Sequence, residues 1–212
     1  MCGITGIYSN SLEIDSSKQE LLNMISCLQH RGPDNWGYYA SKEMMLGQTR
    51  LSIVDLVSGN QPMQIEDHII IYNGEIYNYI ELRTELKAKG IKFNTTSDTE
   101  VLLRLFIQYG AECFEMLNGQ FAFLMWNRKT KELTIARDRF GIRPLYYLEH
   151  KGKFYFGSEM KAFDQIPGFE RSYNAQQLFI HGLLWNTCGS NTVYNNIQTL
   201  PGGSYAVFRG GE

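Results

Sequence analysis

The sequence predicts an α+β fold built on antiparallel sheets. Short runs rich in β-branched and aromatic residues occupy much of the chain, and only a few segments place apolar residues at helical spacing. Strands come first, two consecutive helices follow, and a run of strands separated by tight turns precedes the last helices. A parallel βαβ fold would alternate single strands with single helices, so this order argues against one. The 212 residues, 43% of them hydrophobic, suffice for one domain with a substantial core.

Four strands are predicted in the N-terminal half, and the first begins almost at the N-terminus. They occupy residues 2–9, 36–40, 44–51 and 68–72. Between the first two, Leu21, Ile25 and Leu28 share one face of a helix that starts after Ser16-Ser17. The turn sequence Arg-Gly-Pro-Asp at residues 31–34 ends this helix.

Two helices follow the fourth strand directly. The first is predicted over residues 78–89, with Gly90 as its C-terminal cap. The second begins at residues 97–100, whose sequence Ser-Asp-Thr-Glu is a capping box. This pair departs from the strand–helix alternation of a βαβ fold.

A meander of hairpins is predicted in the second half of the chain. Its strands occupy residues 121–126, 133–136, 145–148 and 154–156, and a last strand occupies 204–208. Short helices are predicted over residues 159–163 and 175–184. Because no internal repeat and no flexible linker is found before Pro201-Gly202-Gly203, residues 1–212 are predicted to form a single domain.

Charge and composition argue against several classes of protein. The formal net charge is −2 without a basic stripe, so neither nucleic acid nor anionic lipid is an expected partner. Residues 1–8 lack the regions of a signal peptide, and no segment approaches the roughly 20 apolar residues of a membrane-spanning helix. We therefore expect a cytoplasmic protein.

The four cysteines indicate neither a zinc site nor a disulfide framework. They are widely spaced, without a C-x-x-C pair or neighbouring histidines, at Cys2, Cys27, Cys113 and Cys188. In a domain of this size without a secretion signal, we expect reduced thiols. No metal or organic cofactor is expected for this domain.

Cys2 is the residue with the clearest chemical potential. Removal of Met1 would leave a thiol and a free α-amine on one residue, which supplies a nucleophile with its own base. Ordinary pKa values are about 8.5 for the thiol and about 7.7–8.0 for the amine, so proton transfer between them is a small step. The alternative is that Cys2 is merely a small buried hydrophobic residue. The residue alone leaves both interpretations open.

Seven segments, which together span nearly the whole chain, carry a family resemblance. They are residues 2–4, 29–34, 50–55, 72–78, 97–100, 136–147 and 156–162. In type and order they resemble the class II glutamine amidotransferases of the N-terminal-nucleophile hydrolase type. The segments 32–34 and 157–162 resemble the glutaminase domain of asparagine synthetases more than the phosphoribosyl-diphosphate or fructose-6-phosphate branches.

The resemblance implies a four-layer α/β/β/α sandwich of two antiparallel sheets. It also implies hydrolysis of L-glutamine to L-glutamate and ammonia through a thioester on Cys2. The side-chain amide of Asn73 and the backbone N–H of Gly74 would form the oxyanion hole. Judged locally, Asn73-Gly74 is also typical of a type I′ hairpin turn.

The resemblance further assigns residues that hold the substrate. Arg50 would pair with the α-carboxylate of glutamine, because its planar guanidinium suits bidentate contact. Glu75 and Asp98 would hold the ammonium group of glutamine. The residues lining the pocket beside Arg50 would be Leu51, Ser52, Ile53 and Val54. Without the resemblance, Arg50 is an ordinary surface residue after a strand.

Further charged residues are expected to be structural. Arg31 and Asp34 would position their turn, whereas Arg137 and Asp138 would form an internal ion pair. The histidines are expected to be structural or exposed; they are His30, His68, His150 and His181.

Ammonia needs an acceptor, and the resemblance implies an ATP-dependent synthetase domain or subunit. Neither a Walker-type phosphate loop nor a Ser-Gly-Gly-x-Asp-Ser pattern occurs, so ATP and Mg²⁺ are expected only for that absent domain. The ending at residues 209–212 favours a truncated chain over a stand-alone subunit. The alternatives are a glutaminase serving another amidation, an N-terminal-nucleophile amidase with a different substrate, and a non-catalytic interaction module. A homodimer is compatible with the sequence.

Overall fold

Two antiparallel sheets account for all the strands of the described chain. The computed structural model describes residues 1–187 and 189–210. Cys188 and the last two residues of the segment 209–212 lie outside this description. In chain order the strands are β1 (Gly3–Tyr8), β2 (Asn35–Ala40), β3 (Met44–Arg50), β4 (Met63–Ile65), β5 (His68–Ile76), β6 (Gly119–Asn127), β7 (Glu132–Arg137), β8 (Tyr146–His150), β9 (Lys153–Gly157), β10 (Gln198–Thr199) and β11 (Tyr205–Arg209).

The strand order places β1 inside one sheet and β5 inside the other. The six-stranded sheet has the order β10-β8-β9-β1-β3-β2, and the five-stranded sheet has the order β11-β7-β6-β5-β4. β1 pairs with β3 from Gly3 to Tyr8, and with β9 from Thr5 to Tyr8. β5 pairs with β6 along its whole length but with β4 only over residues 68–70, so residues 71–76 leave one edge of β5 free of a strand.

The helices lie outside the sheets. They are α1 (Ile14–Cys27), α2 (Tyr79–Ala88), α3 (Asp98–Tyr109) and α4 (Ala175–Leu184), with 3₁₀ helices at Gln29–Arg31, Gly110–Met116 and Met160–Gln165. No helix among the described residues is long and apolar enough to cross a membrane.

Three apolar clusters define four layers. The central cluster fills the space between the sheets and includes Ile4, Leu124 and Trp126. A second cluster joins α2 and α3 to the outer face of the five-stranded sheet, and a third joins α1 to the outer face of the other sheet. The order helix, sheet, sheet, helix confirms the predicted α+β sandwich.

The nearly continuous apolar character of β5 follows from burial on both faces. Ile69 and Ile71 point into the central cluster, whereas Ile70 and Tyr72 face α2 and α3. Because successive side chains of a strand point to opposite sides, an inner strand of a four-layer fold needs apolar residues at both positions.

Several boundaries differ from the sequence predictions. β5 continues to Ile76, so Asn73-Gly74 lies within a strand and the hairpin-turn alternative is wrong. α1 begins at Ile14, ahead of Ser16-Ser17, and the predicted helix at 159–163 is the 3₁₀ helix Met160–Gln165. The short strands β4 and β10, with three and two residues, were not predicted, because so few residues show no periodicity.

Leu124→Ala tests the central cluster. Leu124 is fully buried between the sheets, so we expect the free energy of unfolding to fall by about 2–5 kcal/mol. Leu183→Ala, at an exposed position of α4, is the matched control and should change it by about 0.5 kcal/mol or less. Urea denaturation measures both, and equal losses would contradict a core between the sheets.

Candidate active site

Side chains from three segments hold the main chain where β1 begins. The Gly3 N–H donates to Thr49 Oγ1 at 3.2 Å, and the Ile4 N–H donates to Ser158 Oγ at 3.0 Å. The Cys2 carbonyl oxygen accepts a hydrogen bond from Arg31 Nε at 2.9 Å. Cys2 is therefore fixed although it stands next to the chain terminus.

The Cys2 thiol lies against the main chain of Leu51. Its Sγ accepts from the Leu51 N–H at 3.4 Å and lies 3.7 Å from the Leu51 carbonyl oxygen. Burial raises the pKa of the Cys2 thiol, although the Leu51 N–H and the positive charges of Arg50 and Arg143 oppose that shift. The thiol thus rests in its protonated form and needs a base before it can act as a nucleophile.

The N-terminal amine has the opposite shift. Burial lowers the pKa of the Met1 α-amine, and the positive charges of Arg31 and Arg143 lower it further, while Cys2 opposes them. The Met1 amine is therefore more readily neutral than a fully exposed α-amine.

One cavity gathers most of the predicted site residues. Cys2, Arg50, Asn73, Gly74, Glu75 and Asp98 all line it, together with Leu51, Ile53 and Val54. Ser52 does not line it; its N–H instead donates to Asp34 Oδ2 at 2.8 Å. The predicted role of Asp34 in positioning a loop agrees with this contact. Ile53 is exposed at the rim.

Arg50 is a buried residue, so the surface alternative is wrong. Its side chain is 5% exposed, and its guanidinium donates to the carbonyl oxygens of Val54, Asp55 and Leu56 and to Asn60 Oδ1. Arg50 thus organises the loop formed by residues 51–60, which we call the pocket loop.

Asp55 ties the pocket loop to the start of α3. Its backbone has a φ of 54°, and its carboxylate accepts hydrogen bonds from Ser58 and from the Thr96 N–H. Although burial opposes it, these donors hold the pKa of Asp55 well below its usual range. The carboxylate therefore stays charged and keeps both contacts at neutral pH.

Asn73, which lines the cavity, carries a buried polar group without a partner. The residue is 1% exposed, and its Nδ2 atom has no hydrogen-bond partner among the described residues. Leaving a buried donor unpaired costs about 1–3 kcal/mol, so native structures usually satisfy such groups or reserve them for a function.

The free edge of β5 supplies a second donor. The Tyr72 N–H donates to Gln61 Oε1 at 2.6 Å and the Ile76 N–H to Asp98 Oδ2 at 3.1 Å. Backbone N–H groups two residues apart point to the same side of a strand, so the N–H of Gly74 faces the same edge. Gly74 lines the same cavity as Asn73.

Gly74 is also required by the packing of β5 on β6. A Cβ atom at this position would lie 2.3 Å from the carbonyl oxygen of Gln120 and 2.7 Å from the Cα of Phe121. The close approach of the two strands therefore leaves no room for a side chain.

Asp98 offers a buried carboxylate in the first turn of α3. The Ser97 hydroxyl caps this helix by accepting from the Glu100 N–H. Asp98 Oδ2 accepts from the Tyr72 hydroxyl at 2.8 Å as well as from the Ile76 N–H. Burial raises the pKa of Asp98, and these hydrogen bonds oppose the shift. Glu75, partly exposed, is the second carboxylate of the cavity.

The cavity residue Arg143 was not predicted from the sequence. Arg143 lines the cavity with a buried, unpartnered Nε atom, and its only signal was its place in the segment 136–147.

The ion pair predicted between Arg137 and Asp138 is wrong. Arg137 donates to carbonyl oxygens, while Asp138 accepts from backbone N–H groups, including that of Arg143. These two residues hold the loop that presents Arg143.

The histidines lie away from the cavity. His30 contacts Glu159, His68 contacts Asn127, and His150 packs edge-on against Phe169. His181 lies in the last turn of α4. Within residues 1–187 and 189–210, no group of three His, Cys, Asp or Glu side chains is placed to bind a metal ion.

Comparison with known proteins identifies the relatives of this chain. The sequence model of the family described as a glutamine amidotransferase domain matches residues 1–212. Glutamine-hydrolyzing asparagine synthetase 1 from Bacillus subtilis is 48% identical over 166 residues, 76% of this chain and 26% of that protein. Glutamine-hydrolyzing asparagine synthetase 2 from the same organism is 34% identical over 214 residues, 97% of this chain and 28% of that protein.

The solved structures give the same result. The glutamine phosphoribosylpyrophosphate amidotransferase from B. subtilis matches with a TM-score of 0.64 and 25% identity, over 77% of this chain and 43% of that one. The chain spans between a quarter and a third of the two asparagine synthetases. These findings confirm the resemblance that the seven segments carry.

Gly74→Ala tests the packing requirement. We expect the variant to lose about 1–3 kcal/mol of unfolding free energy, because its Cβ must displace the backbone of β6. Gly182→Ala in α4 is the control: among the described residues, no atom outside its own helix lies within 4 Å of the Cβ position, so the variant should gain about 0.5–1 kcal/mol of unfolding free energy. Chemical denaturation measures the unfolding free energy of both variants. A Gly74→Ala protein as stable as the parent would refute the requirement for glycine at this position.

Proposed function

The chain belongs to the glutamine amidotransferase domain family, and we propose on that basis that it hydrolyses L-glutamine to L-glutamate and ammonia with Cys2 as the nucleophile. The observation that carries this proposal is the unpartnered Nδ2 atom of buried Asn73, in the same cavity as the Cys2 thiol. A donor left free beside a nucleophile is what a developing oxyanion needs.

The first half of the reaction forms a thioester. With Met1 removed, the α-amine of Cys2 takes the thiol proton, and the thiolate attacks the side-chain amide carbon of glutamine. The oxyanion accepts hydrogen bonds from Asn73 Nδ2 and the Gly74 N–H. The protonated amine then gives its proton to the departing nitrogen, so that ammonia leaves and the acyl group stays on Sγ.

The second half regenerates the thiol. The neutral amine takes a proton from water, and the hydroxide attacks the thioester carbon through the same oxyanion hole. Glutamate leaves as the C–S bond breaks, and the proton returns to Sγ. The amine serves first as base and then as acid, so these reaction steps need no metal or cofactor.

The charges around the cavity support a free amino acid as the substrate. Arg50 would bind the α-carboxylate, and Glu75 and Asp98 would bind the ammonium group, with Leu51 to Val54 alongside. An N-terminal-nucleophile amidase for another substrate is the rival. A panel of L-glutamine, L-asparagine and an N-acyl glutamine separates the two, because an acylated amine cannot pair with the two carboxylates.

The relatives suggest the acceptor of the ammonia. We propose that the chain supplies ammonia for asparagine synthesis to an ATP-dependent synthetase domain or subunit, to which ATP and Mg²⁺ would bind. An exposed apolar surface supports the existence of such a partner. It lies on α4 and the residue after it, and it consists of Leu178, Phe179, Leu183, Leu184 and Trp185. The alternative is that the ammonia serves another amidation reaction. Glutamine-dependent formation of asparagine from aspartate and ATP, by the chain together with its synthetase partner, distinguishes the two possibilities.

Glutamate release from L-glutamine is the decisive assay. We expect turnover from protein whose Met1 removal is verified by intact mass, and none from Cys2→Ala or from protein that retains Met1. Retained Met1 would convert the base into an amide. EDTA should leave the rate unchanged. Normal turnover by the Met1-containing protein would refute the role of the amine.

Asn73→Ala tests the oxyanion hole. Removal of one such donor should lower kcat about 100- to 1000-fold while KM for glutamine changes little, because the interaction is made only in the transition state. Asn23→Ala, at an exposed position of α1, is the matched control and should keep the parent kcat. A higher KM with an unchanged kcat would place Asn73 in substrate binding instead.

A further inference from the structure

Gln48 is a buried polar residue that points from one sheet toward the other. It lies on β3, where Met44 and Leu46 belong to the apolar cluster between the sheets, and the alternation of side chains along a strand gives Gln48 the same direction. The residue is 1% exposed. Gln48 Nε2 donates to the carbonyl oxygen of Tyr72, on β5 of the other sheet, at 3.2 Å. This hydrogen bond therefore joins the two sheets next to the cavity, which Tyr72 lines.

The acceptor belongs to the part of β5 that has no neighbouring strand. The N–H and the C=O of one residue in a strand point to the same side, so both groups of Tyr72 face the free edge at residues 71–76. Two glutamine side chains replace the missing strand there, because Gln61 Oε1 accepts from the N–H and Gln48 donates to the C=O. That C=O is part of the peptide group that leads into Asn73. The two contacts thus fix the backbone that carries the Asn73 amide.

The end of β3 also contacts the Cys2 thiol. Gln48 pairs with Ile4 of β1, and the Leu51 N–H, just after β3, donates to Cys2 Sγ at 3.4 Å. One strand and the residue after it therefore bond both the thiol and the peptide group before Asn73. These hydrogen bonds add a direct link between the two halves of the cavity to the apolar packing between the sheets.

Packing alone does not explain a glutamine at this position. Gln48 Oε1 is buried and has no hydrogen-bond partner among the described residues. An unpaired buried acceptor is destabilising, so the bond to Tyr72 is made at a cost that an apolar side chain would not carry. Gln48 does not line the cavity, and any effect on a bound substrate must pass through the Tyr72 carbonyl and the peptide that follows it.

We propose that Gln48 is a positioning residue: it fixes the peptide group that leads into Asn73, and thereby holds the oxyanion donors in place relative to the Cys2 thiol. This role rests on the proposed hydrolysis of glutamine. Oxyanion donors are effective because they are aimed before the charge develops, so the orientation of this peptide group decides how much they contribute to the rate.

Two variants separate the hydrogen bond from the size of the side chain. Gln48→Met keeps a similar length and volume without the donor, whereas Gln48→His carries an Nε2–H at a similar distance from the backbone. In Gln48→Met we expect kcat to fall about 10- to 100-fold, with KM for glutamine changed by less than about threefold, because a misplaced donor costs rate rather than binding. Gln48→His, assayed at about pH 8 where an ordinary imidazole is neutral, should recover most of this loss. The parent kcat in Gln48→Met overturns the proposal.

Gln177→Met is the matched control for these assays. Gln177 is also a buried glutamine with an unpartnered Oε1, but it lies in α4 and does not line the cavity. We expect this variant to keep the parent kcat and KM. An equal loss of kcat in Gln177→Met and Gln48→Met would mean that the rate responds to any such change in the interior, which overturns a specific role for Gln48.

A double-variant cycle tests the route through Asn73. Asn73→Ala has already lost the side-chain donor that Gln48 would hold in place. Adding Gln48→Met to Asn73→Ala should therefore lower kcat by a clearly smaller factor than adding it to the parent. The same factor in both backgrounds overturns the route through Asn73.

A readout without glutamine separates this inference from the proposed function. Amide hydrogen exchange followed by NMR reports how firmly the free edge of β5 is held, and we expect the Tyr72 and Asn73 amides to exchange about tenfold faster in Gln48→Met than in the parent or in Gln48→His. The amides of α1, on the other face of the molecule, should keep their parent rates. If the parent shows no turnover, this pattern still supports the anchoring by Gln48 and only the proposed function is refuted. Parent-like exchange of both amides in Gln48→Met overturns the role of Gln48.

Discussion

The site depends on how firmly the first residues of the chain are hydrogen-bonded, because a terminus is otherwise the part of a domain that frays. β1 lies inside the six-stranded sheet and is paired on both sides. Thr49, Ser158 and Arg31 extend that bonding by side chains to residues 2–4. Cys2, the proposed nucleophile, is consequently held in place by hydrogen bonds while the residue lines a cavity.

The two sheets contribute different parts of the cavity. Cys2 directly precedes β1 of the six-stranded sheet, whereas Asn73 and Gly74 lie on β5 of the other sheet. The apolar cluster between the sheets therefore sets the distance between Cys2, the proposed nucleophile, and the proposed oxyanion donors. Close-packed interiors deform little, so a rigid core is a precise support for groups that must approach a substrate from two sides.

Periodicity predicted the strands and helices that bury a long apolar face, and the seven motifs predicted most of the residues that line one cavity, though not the place of Ser52. Neither signal could predict features that depend on contacts between distant parts of the chain. Judged from its neighbours in sequence, Arg50 is a surface residue, but in the structure the carbonyl oxygens of the pocket loop surround its guanidinium. Judged locally, Asn73-Gly74 is typical of a turn, but its pairing with β6 places it within a strand. Arg143 reaches the cavity only because Arg137 and Asp138 shape its loop.

The absence of space beside Gly74 restricts how such a protein can diverge. A side chain there would move β5 away from β6 and would shift Asn73 with it, so a substitution at Gly74 would change the sheet and the proposed oxyanion donors together. The pocket loop is under no comparable restriction at its rim, where Ile53, Leu56 and Val57 are exposed. New substrate preferences, whether arising in evolution or by engineering, are therefore accessible through this loop and not through the strands beneath it.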